Sequence, residues 1–275
     1  MFHSDDLIGI GMEADSIRRR LHPSGVVSYI VGGQIDHTLP RETTGEKIRQ
    51  ILELGGTGIA LRGGIVPDRT IEAFEDLLRS LKREFEIRIH GFSTPELVNI
   101  ADLSGLSLRD AIARLRDAGL DSLPGDGVET AQWAEVHRIA HSLGIPTTAE
   151  IMFGRGETFE QRLNHFDVVR QIQEDTGGFT AFIPCCSPET TAVEHLRTLA
   201  ISRIFLDNIP NLQSSWGALG LKTCQLGLRF GANDTGNIAI EGKRQATEEE
   251  LRRTIRDAGF VPKQRDALYR TYFLN

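Results

Sequence analysis

Glycine and ionisable residues stand where apolar segments of this chain end, and their types suit the binding of a small polar ligand. Within residues 55–74, the apolar run 58–61 is followed by Arg62, Gly63 and Gly64 and then by an amphipathic helical pattern. Because glycine lacks a Cβ atom, the pair leaves backbone N–H and C=O groups open to a ligand at the carboxyl end of a strand. The spacing is equally consistent with a tight strand-to-helix turn that has no ligand.

Two ionisable side chains at other strand ends could carry chemistry. Glu150 lies in the small and apolar run TTAEIMFG, where a buried carboxylate must be paired or protonated. It is a candidate general base or anchor for a cation or hydroxyl, or else the partner of Arg62 or Arg155 in a structural salt bridge. His90, in RIHGFS, could shuttle a proton or bind a polar substrate, or it could be a satisfied core histidine.

A turn-rich loop, residues 122–127 with the sequence SLPGDG, is a further candidate. Ser122, Pro124 and Gly125 would let a ligand approach the backbone there, although ordinary loop chemistry explains the same residues.

Two pairs of neighbouring carboxylate and amide side chains suit hydrogen bonding to ribose or other hydroxyl-rich groups. They are Asp207 with Asn208 and Asn233 with Asp234, and each pair could instead cap the helix that follows.

The three cysteines have neither the number nor the spacing of a disulfide framework or a zinc site. They are Cys185, Cys186 and Cys224. The adjacent pair is more typical of inert packing than of a nucleophile. Serine, histidine and carboxylate residues likewise show no hydrolase or metal-site pattern.

Short β-like runs alternate with helical patterns along the chain and would position these residues. The predicted strands are 26–31, 59–61, 87–92, 119–123, 147–153, 179–184, 203–206 and 224–230. The predicted helices are 8–21, 46–54, 71–85, 94–118 (one helix or two), 130–143, 157–176, 192–200, 212–219 and 247–258.

About eight strands separated by helices predict an α/β fold, a TIM-like (β/α) barrel whose site lies at the carboxyl ends of the strands. We expect a single domain over residues 1–275, with an N-terminal helix and lead-in at 1–25 and a C-terminal helical segment at 247–275. An open doubly wound sheet is the alternative. The absence of GxGxxG after the first strand argues against it.

Composition narrows the class of partner. The net charge is −7, and basic and acidic residues are intermixed, so there is no basic stripe for a nucleic acid. No apolar run reaches membrane-spanning length, and the first twenty residues do not resemble a signal peptide. We therefore expect a cytoplasmic protein that acts on a small molecule, without nucleic acid or membrane, and the sequence leaves open whether it forms a homodimer.

Several strings, in order, resemble the radical S-adenosylmethionine (SAM) enzymes of the futalosine route to menaquinone, above all dehypoxanthine futalosine cyclase. Aminofutalosine synthase and the deazaflavin synthase subunits are similar at a greater distance. The strings are ILELGGTGIALRGGIVPD, IHGFSTPEL, SGLSLRDAIARLRDAGLDSLPGDG, IMFGRGET, TGGFTAFIP, LDNIPNLQSSW, LRFGAND and IRDAGFVPKQRDALY. This resemblance extends over residues 21–269 and implies the radical SAM type of barrel.

One element of that family is missing. Its members carry a CxxxCxxC loop after the first strand, and the three thiolates hold a [4Fe–4S] cluster to which SAM binds. Residues 32–48 here read GGQIDHTLPRETTGEKI, contain no cysteine and are shorter by about the length of that loop. Because such clusters need thiolate ligands, we expect no [4Fe–4S] cluster, no metal and no reductive cleavage of SAM.

The resemblance implies that a cradle for SAM survives. The family's GG motif contacts the amino group of SAM and corresponds to Gly63 and Gly64, with Arg62 beside them. The ends of the fourth and fifth strands, residues 122–125 and 150–154, would contact ribose and carboxylate groups.

Two residues depart from the family at this cradle. Glu150 replaces a small hydroxyl residue, and Arg155 replaces a histidine. Charged replacements at strand ends favour a new site over decay, because a drifting pseudoenzyme loses pocket polarity as readily as it gains it.

These observations predict a cluster-independent enzyme that uses SAM as an electrophile, a transferase or a cyclase/lyase. Glu150 would act as base or sulfonium partner, His90 as proton shuttle, and the two carboxylate and amide pairs as substrate contacts. One alternative is a non-radical enzyme that acts on a futalosine-like nucleoside. The other is a non-catalytic regulatory partner of a radical SAM enzyme.

Overall fold

The computed structural model describes residues 1–126, 130–239, 246–270 and 272. Within them, helices and parallel strands alternate. The strands are β1 Val26–Asp36, β2 Gly58–Arg62, β3 Arg88–His90, β4 Thr147–Phe153, β5 Phe179–Cys186, β6 Asn211–Leu212, β7 Asp234–Ala239 and β8 Val261–Gln264. The helices are α1 Leu7–Leu21, α2 Arg41–Glu53, α3 Ile71–Glu84, α4 Thr94–Leu103, α5 Leu108–Ala118, α6 Ala131–Ser142, α7 Phe159–Thr176, α8 Ala192–Phe205, α9 Leu221–Gly227 and α10 Glu248–Asp257.

Two sheets, β3-β2-β1-β7 and β4-β5-β6, close into a barrel through short bridges. Ser122 pairs with His90 of β3, Leu123 pairs with Thr147 of β4, and Gln213 pairs with Asp234 of β7, all in parallel. The barrel wall therefore has eight strand positions. Seven are β1 to β7, and the segment at Ser122 and Leu123 is the fourth position in chain order. The predicted TIM-like α/β fold is confirmed.

The remaining strand, β8, lies outside the barrel wall. It pairs with residues Val26 to Tyr29 at the start of β1, whereas β2 pairs with Gly32 to Asp36 further along. The described residues from β8 to Tyr269 are thus brought under the amino end of the barrel. The predicted C-terminal helical segment, 247–275, is wrong beyond α10, because a strand follows that helix.

Hydrophobic residues on the outward faces of the strands pack against the surrounding helices in two clusters. One cluster includes Ile35, Leu61 and Phe74 on the β1 to β3 side. The other includes Phe153 and Phe182 on the β4 to β7 side. Outward positions alternate with inward ones along each strand, so every second residue faces the barrel axis.

Several predicted elements in the second half of the chain are wrong. Residues 203–206 are the end of α8 and not a strand, residues 212–219 contain the end of β6 and not a helix, and residues 224–230 begin in α9. Nearly every residue from His195 to Arg203 is buried, which removes the amphipathic period that marks a helix in sequence. Residues 119–123 form only the two bridges at Ser122 and Leu123.

Candidate functional site

The inward face of β4 brings a carboxylate to the mouth of the barrel. Ala149 and Phe153 pack outward into the core, so Thr148, Glu150 and Met152 share the face toward the axis. Exposure increases along that face, from a buried Thr148 to a Met152 that is 45% exposed. Glu150, between them, is partly buried.

Glu150 has an acidity unlike that of an ordinary glutamate. Burial and the nearby carboxylate of Asp126 raise its pKa to about 7, against the opposing effects of Arg62 and of hydrogen bonds from Cys185 and Thr148. No ion pair to Glu150 occurs among the residues that the structure describes. A carboxyl group with a pKa near neutrality can accept and release a proton at physiological pH.

Cys185 is the neighbour of Glu150 on β5. Its Sγ atom lies 3.9 Å from Oε2 of Glu150 and donates a weak hydrogen bond to it. Burial and the adjacent carboxylate raise the pKa of the Cys185 thiol. The thiol therefore stays protonated and acts as a donor, consistent with the prediction that the cysteine pair is not nucleophilic.

Arg62 at the end of β2 forms an ion pair with Asp126, the residue that follows Gly125. The pair spans the mouth, and both side chains influence the acidity of Glu150. The sequence leaves open a structural salt bridge between Glu150 and Arg62 or Arg155, whereas in the structure Arg62 pairs with Asp126. Oδ1 of Asp126 is buried without a hydrogen-bond partner in the described part of the chain. Asp126 had no role assigned from the sequence beyond its place in the SLPGDG loop.

His90 faces the axis at the end of β3, and its Nδ1 atom lies 2.8 Å from the buried hydroxyl of Ser122. Burial, aided by the charges of Arg62 and Arg265, lowers its pKa to about 3. The imidazole is therefore neutral at physiological pH. It can donate or accept hydrogen bonds in that form, and its role as a proton shuttle stays a prediction.

Gly63 and Gly64 follow β2 at the rim and are exposed. A Cβ atom on Gly63 would lie 2.6 Å from the imidazole of His37, and Gly64 has a φ of +72°. His37 is itself fixed, with Nε2 3.1 Å from Oε1 of Glu96. Both positions thus require glycine, one for close packing and one for its backbone conformation.

The loop from Ser122 to Asp126 packs more closely than its sequence indicates. The N–H of Gly125 donates to the hydroxyl of Thr148 at 3.0 Å, and a Cβ there would meet the Thr148 carbonyl oxygen at 2.2 Å. Pro124 is buried. Gly125 therefore serves packing, and Asp126 is the residue of this loop that reaches the mouth. Residue 127, the last of the SLPGDG segment, lies outside the described residues.

Arg155 lies beyond the end of β4 and is exposed. Its backbone N–H donates to Oε2 of Glu157 at 2.9 Å. This contact shapes the turn that leads into α7.

The two predicted carboxylate and amide pairs lie at the amino end of the barrel, opposite the mouth. Asp207 and Asn208 precede β6 and contact Arg170, with 2.7 Å between Nη1 of Arg170 and Oδ1 of Asp207. The expectation that they sit at carboxyl strand ends is wrong, because residues 203–206 are helical.

Asn233 and Asp234 stand at the start of β7 and are fully engaged inside the protein. Oδ1 of Asn233 accepts from Arg203 at 2.9 Å, and Asp234 forms a two-contact ion pair with Arg265 at 2.6 and 3.0 Å. These groups stabilise the amino end of the barrel, opposite the mouth.

Below the mouth, the barrel contains a cavity of about 180 Å³. Its lining includes His90, Thr148, Gln213 and Asn237, and Arg265, Ala267 and Tyr269 of the C-terminal segment form its floor. Most TIM barrels fill this space with branched side chains.

A TIM-like barrel with ionisable groups at the carboxyl ends of its strands is the class of protein that this fold and site define. Residues 171–274 match the family model described as the CofH/MqnC C-terminal region. The chain is 32% identical to the cyclic dehypoxanthine futalosine synthase of Halalkalibacterium halodurans. The alignment is 327 positions long and covers 98% of this chain and 88% of that protein. The chain belongs to this radical SAM family.

A second relative has a different printed activity. The 5-amino-6-(D-ribitylamino)uracil–L-tyrosine 4-hydroxyphenyl transferase of Archaeoglobus fulgidus is 32% identical, with 98% of this chain and 96% of that protein covered. Among solved structures, methylornithine synthase (PylB) superposes with a TM-score of 0.70 at 15% identity, over 94% of this chain and 90% of PylB. That likeness confirms the fold.

The residues at the end of β1 do not fit the family's iron–sulfur cluster. Four residues, 37–40, join β1 to α2, and the first of them, His37, is buried against Phe74 and Phe92. Cys185 and Cys186 lie on β5 and Cys224 is buried on α9, its Sγ donating to the carbonyl of Ser214.

Acidic, histidine and cysteine side chains do not gather elsewhere into a metal site. Within the described ranges, no group of three or more such residues is arranged to hold a metal ion. No helix there combines the length and the apolar character that crossing a bilayer requires.

Proposed function

We propose that this protein is an enzyme that binds SAM at the mouth of the barrel and uses it in polar, non-radical chemistry, as a transferase or as a cyclase/lyase. The observation that supports this most is Glu150, a carboxyl group with a pKa of about 7 and no ion-pair partner among the described residues, at a position where chemistry would occur. A protein that had lost all activity would have no need to hold such a group at the mouth.

The cradle for SAM would consist of the exposed backbone at Gly63 and Gly64, with Arg62 beside it. These glycines meet the ligand on the side of β2, while Glu150 faces it from β4 across the axis. When bound, SAM supplies a carbon activated by the attached sulfonium, and displacement of that carbon leaves the C–S electron pair on sulfur as a neutral thioether.

Glu150 would remove the proton of the attacking nucleophile. Above a pH of about 7 the group is mainly ionised and can accept that proton. The protonated thiol of Cys185 would remain a hydrogen-bond donor to the carboxylate and keep it oriented. The Arg62–Asp126 pair would tune the carboxylate's acidity.

Calorimetry with SAM and S-adenosylhomocysteine tests the binding. We expect SAM to bind about tenfold more tightly at pH 8 than at a pH below the pKa of Glu150. The reason is that an ionised carboxylate a few ångströms from a sulfonium contributes about 1–2 kcal/mol. The preference should disappear in Glu150→Gln and persist in the control Cys186→Ala, which alters the outward face of β5.

Two results would contradict the proposal. One is the absence of binding by either compound. The other is anaerobic reconstitution that gives a four-iron protein and releases 5′-deoxyadenosine from SAM, which would establish radical chemistry.

The identity to the futalosine synthase of H. halodurans, over 98% of the chain, favours a second candidate. In it, the mouth takes a futalosine-like nucleoside and Glu150 catalyses a non-radical step on that nucleoside alone. Consumption of such a nucleoside without SAM would distinguish this function from the first.

A further inference from the structure

The barrel interior below Glu150 is hollow because its inward positions carry small residues. On β2 these positions hold Gly58 and Ala60, and on β1 Gly32 pairs in register with Gly58. Ala267, which follows β8, fills only the lowest part, where a Cβ on Gly58 would lie 3.0 Å from that of Ala267. We call the remaining cavity of about 180 Å³ the lumen chamber.

The walls of the lumen chamber are partly apolar, with Ile30 and Ala60 on one side and Ile183 on the other. Such walls favour the flat faces of a ring. Ile183 shares the inward face of β5 with Cys185, and Thr148 shares that of β4 with Glu150. The chamber therefore lies directly beneath the two groups at the mouth, one inward position lower on each strand.

Among the described residues that line the chamber, none carries an unpaired charge. Arg265 in its floor is neutralised by Asp234 through two contacts, and its guanidinium carbon lies 3.6 Å from the ring centroid of Tyr269. His90 in its wall is neutral. A charged group would lose its hydration there without gaining a counter-ion, so the occupant must be uncharged.

Polar groups converge on the chamber and have unused hydrogen-bonding capacity. The side-chain amide of Asn237 has no hydrogen-bond partner in the part of the chain that the structure describes. Gln213 uses its Nε2 to donate to Ser215 at 2.6 Å, which leaves its oxygen as an acceptor. His90 uses only Nδ1, to Ser122. An amide side chain offers one donor and one acceptor side by side, the pattern that a cyclic lactam complements.

We infer that the lumen chamber is a second binding site, which takes an uncharged planar ring bearing a lactam edge, with Asn237 as the group that reads that edge. The chamber is separate from the mouth. Its occupant can be tested whether or not SAM binds above it.

The probe is 2-pyridone, the simplest aromatic lactam, compared with N-methyl-2-pyridone, in which the donor is blocked. Ligand-observed NMR titration of the full chain should show 2-pyridone binding about tenfold more tightly, because the methylated ring leaves the Asn237 carbonyl oxygen unpaired. Equal affinity for the two probes, or no binding of 2-pyridone, would overturn the inference.

Variants locate the binding. Ala60→Leu should fill the chamber and abolish 2-pyridone binding, and Asn237→Ala should weaken it about tenfold. Asn208→Ala removes an amide at the opposite end of the barrel and should leave it unchanged. Thermal unfolding of each variant checks the fold; if Ala60→Leu does not fold, Asn237→Ala and the methylated probe decide. Retained binding in both chamber variants would contradict the assignment.

Discussion

Cys185 and Glu150 face each other across neighbouring strands, with 3.9 Å between Sγ of the thiol and Oε2 of the carboxylate. The thiol is protonated because burial and that carboxylate raise its pKa. The contact therefore stabilises the ionised form of Glu150. It links the acidity of the proposed base to a residue on another strand.

Cys185→Ala should raise the pKa of Glu150 above about 7, because a donor to the ionised form is lost. The carboxyl carbon resonance of Glu150, followed by NMR against pH, measures this directly. Cys186→Ala is the matched control, since Cys186 belongs to the outward-facing core. An unchanged or lower midpoint in Cys185→Ala would show that the contact has no influence.

Glu150→Gln should stabilise the fold at high pH. The folded pKa of about 7 is above the ordinary value of 4.5, so the stability contributed by the protonated group is present below pH 4.5 and is lost as pH rises through 7. The variant escapes this loss, which amounts to about 1–3 kcal/mol. Urea unfolding of both proteins at pH 5 and pH 8 tests this prediction. If the free energies of unfolding of the two proteins differ by the same amount at both pH values, the prediction is refuted.

Asp126→Asn should lower the pKa of Glu150. The substitution removes a negative charge that raises this pKa and releases Arg62, whose charge lowers it. A fall of about one unit or more is expected, visible in the NMR titration of Glu150 and in the pH dependence of SAM binding. Asp36→Asn, at an exposed carboxylate that binds Thr38, is the control and should leave the midpoint in place.

Gly63→Ala should destabilise the protein by about 1–3 kcal/mol, because the new methyl group overlaps the imidazole of His37. Gly64→Ala should cost about 1 kcal/mol through its positive φ alone. Adding His37→Ala should partly rescue Gly63→Ala but not Gly64→Ala. Urea unfolding of the single and double variants measures this coupling, and its absence would show that His37 moves aside freely.

Arg265→Met should destabilise the fold by about 3–5 kcal/mol, since it leaves the fully buried carboxylate of Asp234 without its cation. The double variant Asp234→Asn with Arg265→Met should recover much of that loss. Arg270→Met, at an exposed arginine, should change stability by less than about 0.5 kcal/mol. Thermal unfolding distinguishes these outcomes, and a small loss in Arg265→Met would mean that water reaches the pair.

The first half of the fold could be predicted because its elements follow simple rules. In α3, Phe74, Leu78 and Leu81 recur at helical spacing and all are buried. The apolar run at the start of β1 is typical of a strand buried on both faces.

In the second half of the chain, tertiary burial overrides the local sequence pattern. The apolar residues 204–206 continue a helix buried on nearly all sides, and β6 has only two residues, Asn211 and Leu212. The error propagated to the site. Once those residues were interpreted as a strand, Asp207 and Asn208 were placed at the wrong end of the barrel.

Sequence position alone brought Glu150, Arg62 and His90 to one mouth, because parallel strands share their carboxyl edge. It could not reveal that Asp126 takes Arg62 as its partner. That choice depends on the path of a loop and not on a periodic pattern.

Among the described residues, the C-terminal segment from Arg265 to Tyr269 lies beneath the lumen chamber, and the mouth of the barrel lies above it. A ring bound in the chamber, as proposed, would lie beneath a ligand at the mouth and would therefore enter before that ligand and leave after it. Steady-state kinetics should therefore show compulsory-order addition of the two ligands. The ligand at the mouth should act as a dead-end inhibitor when it binds while the lumen chamber is empty.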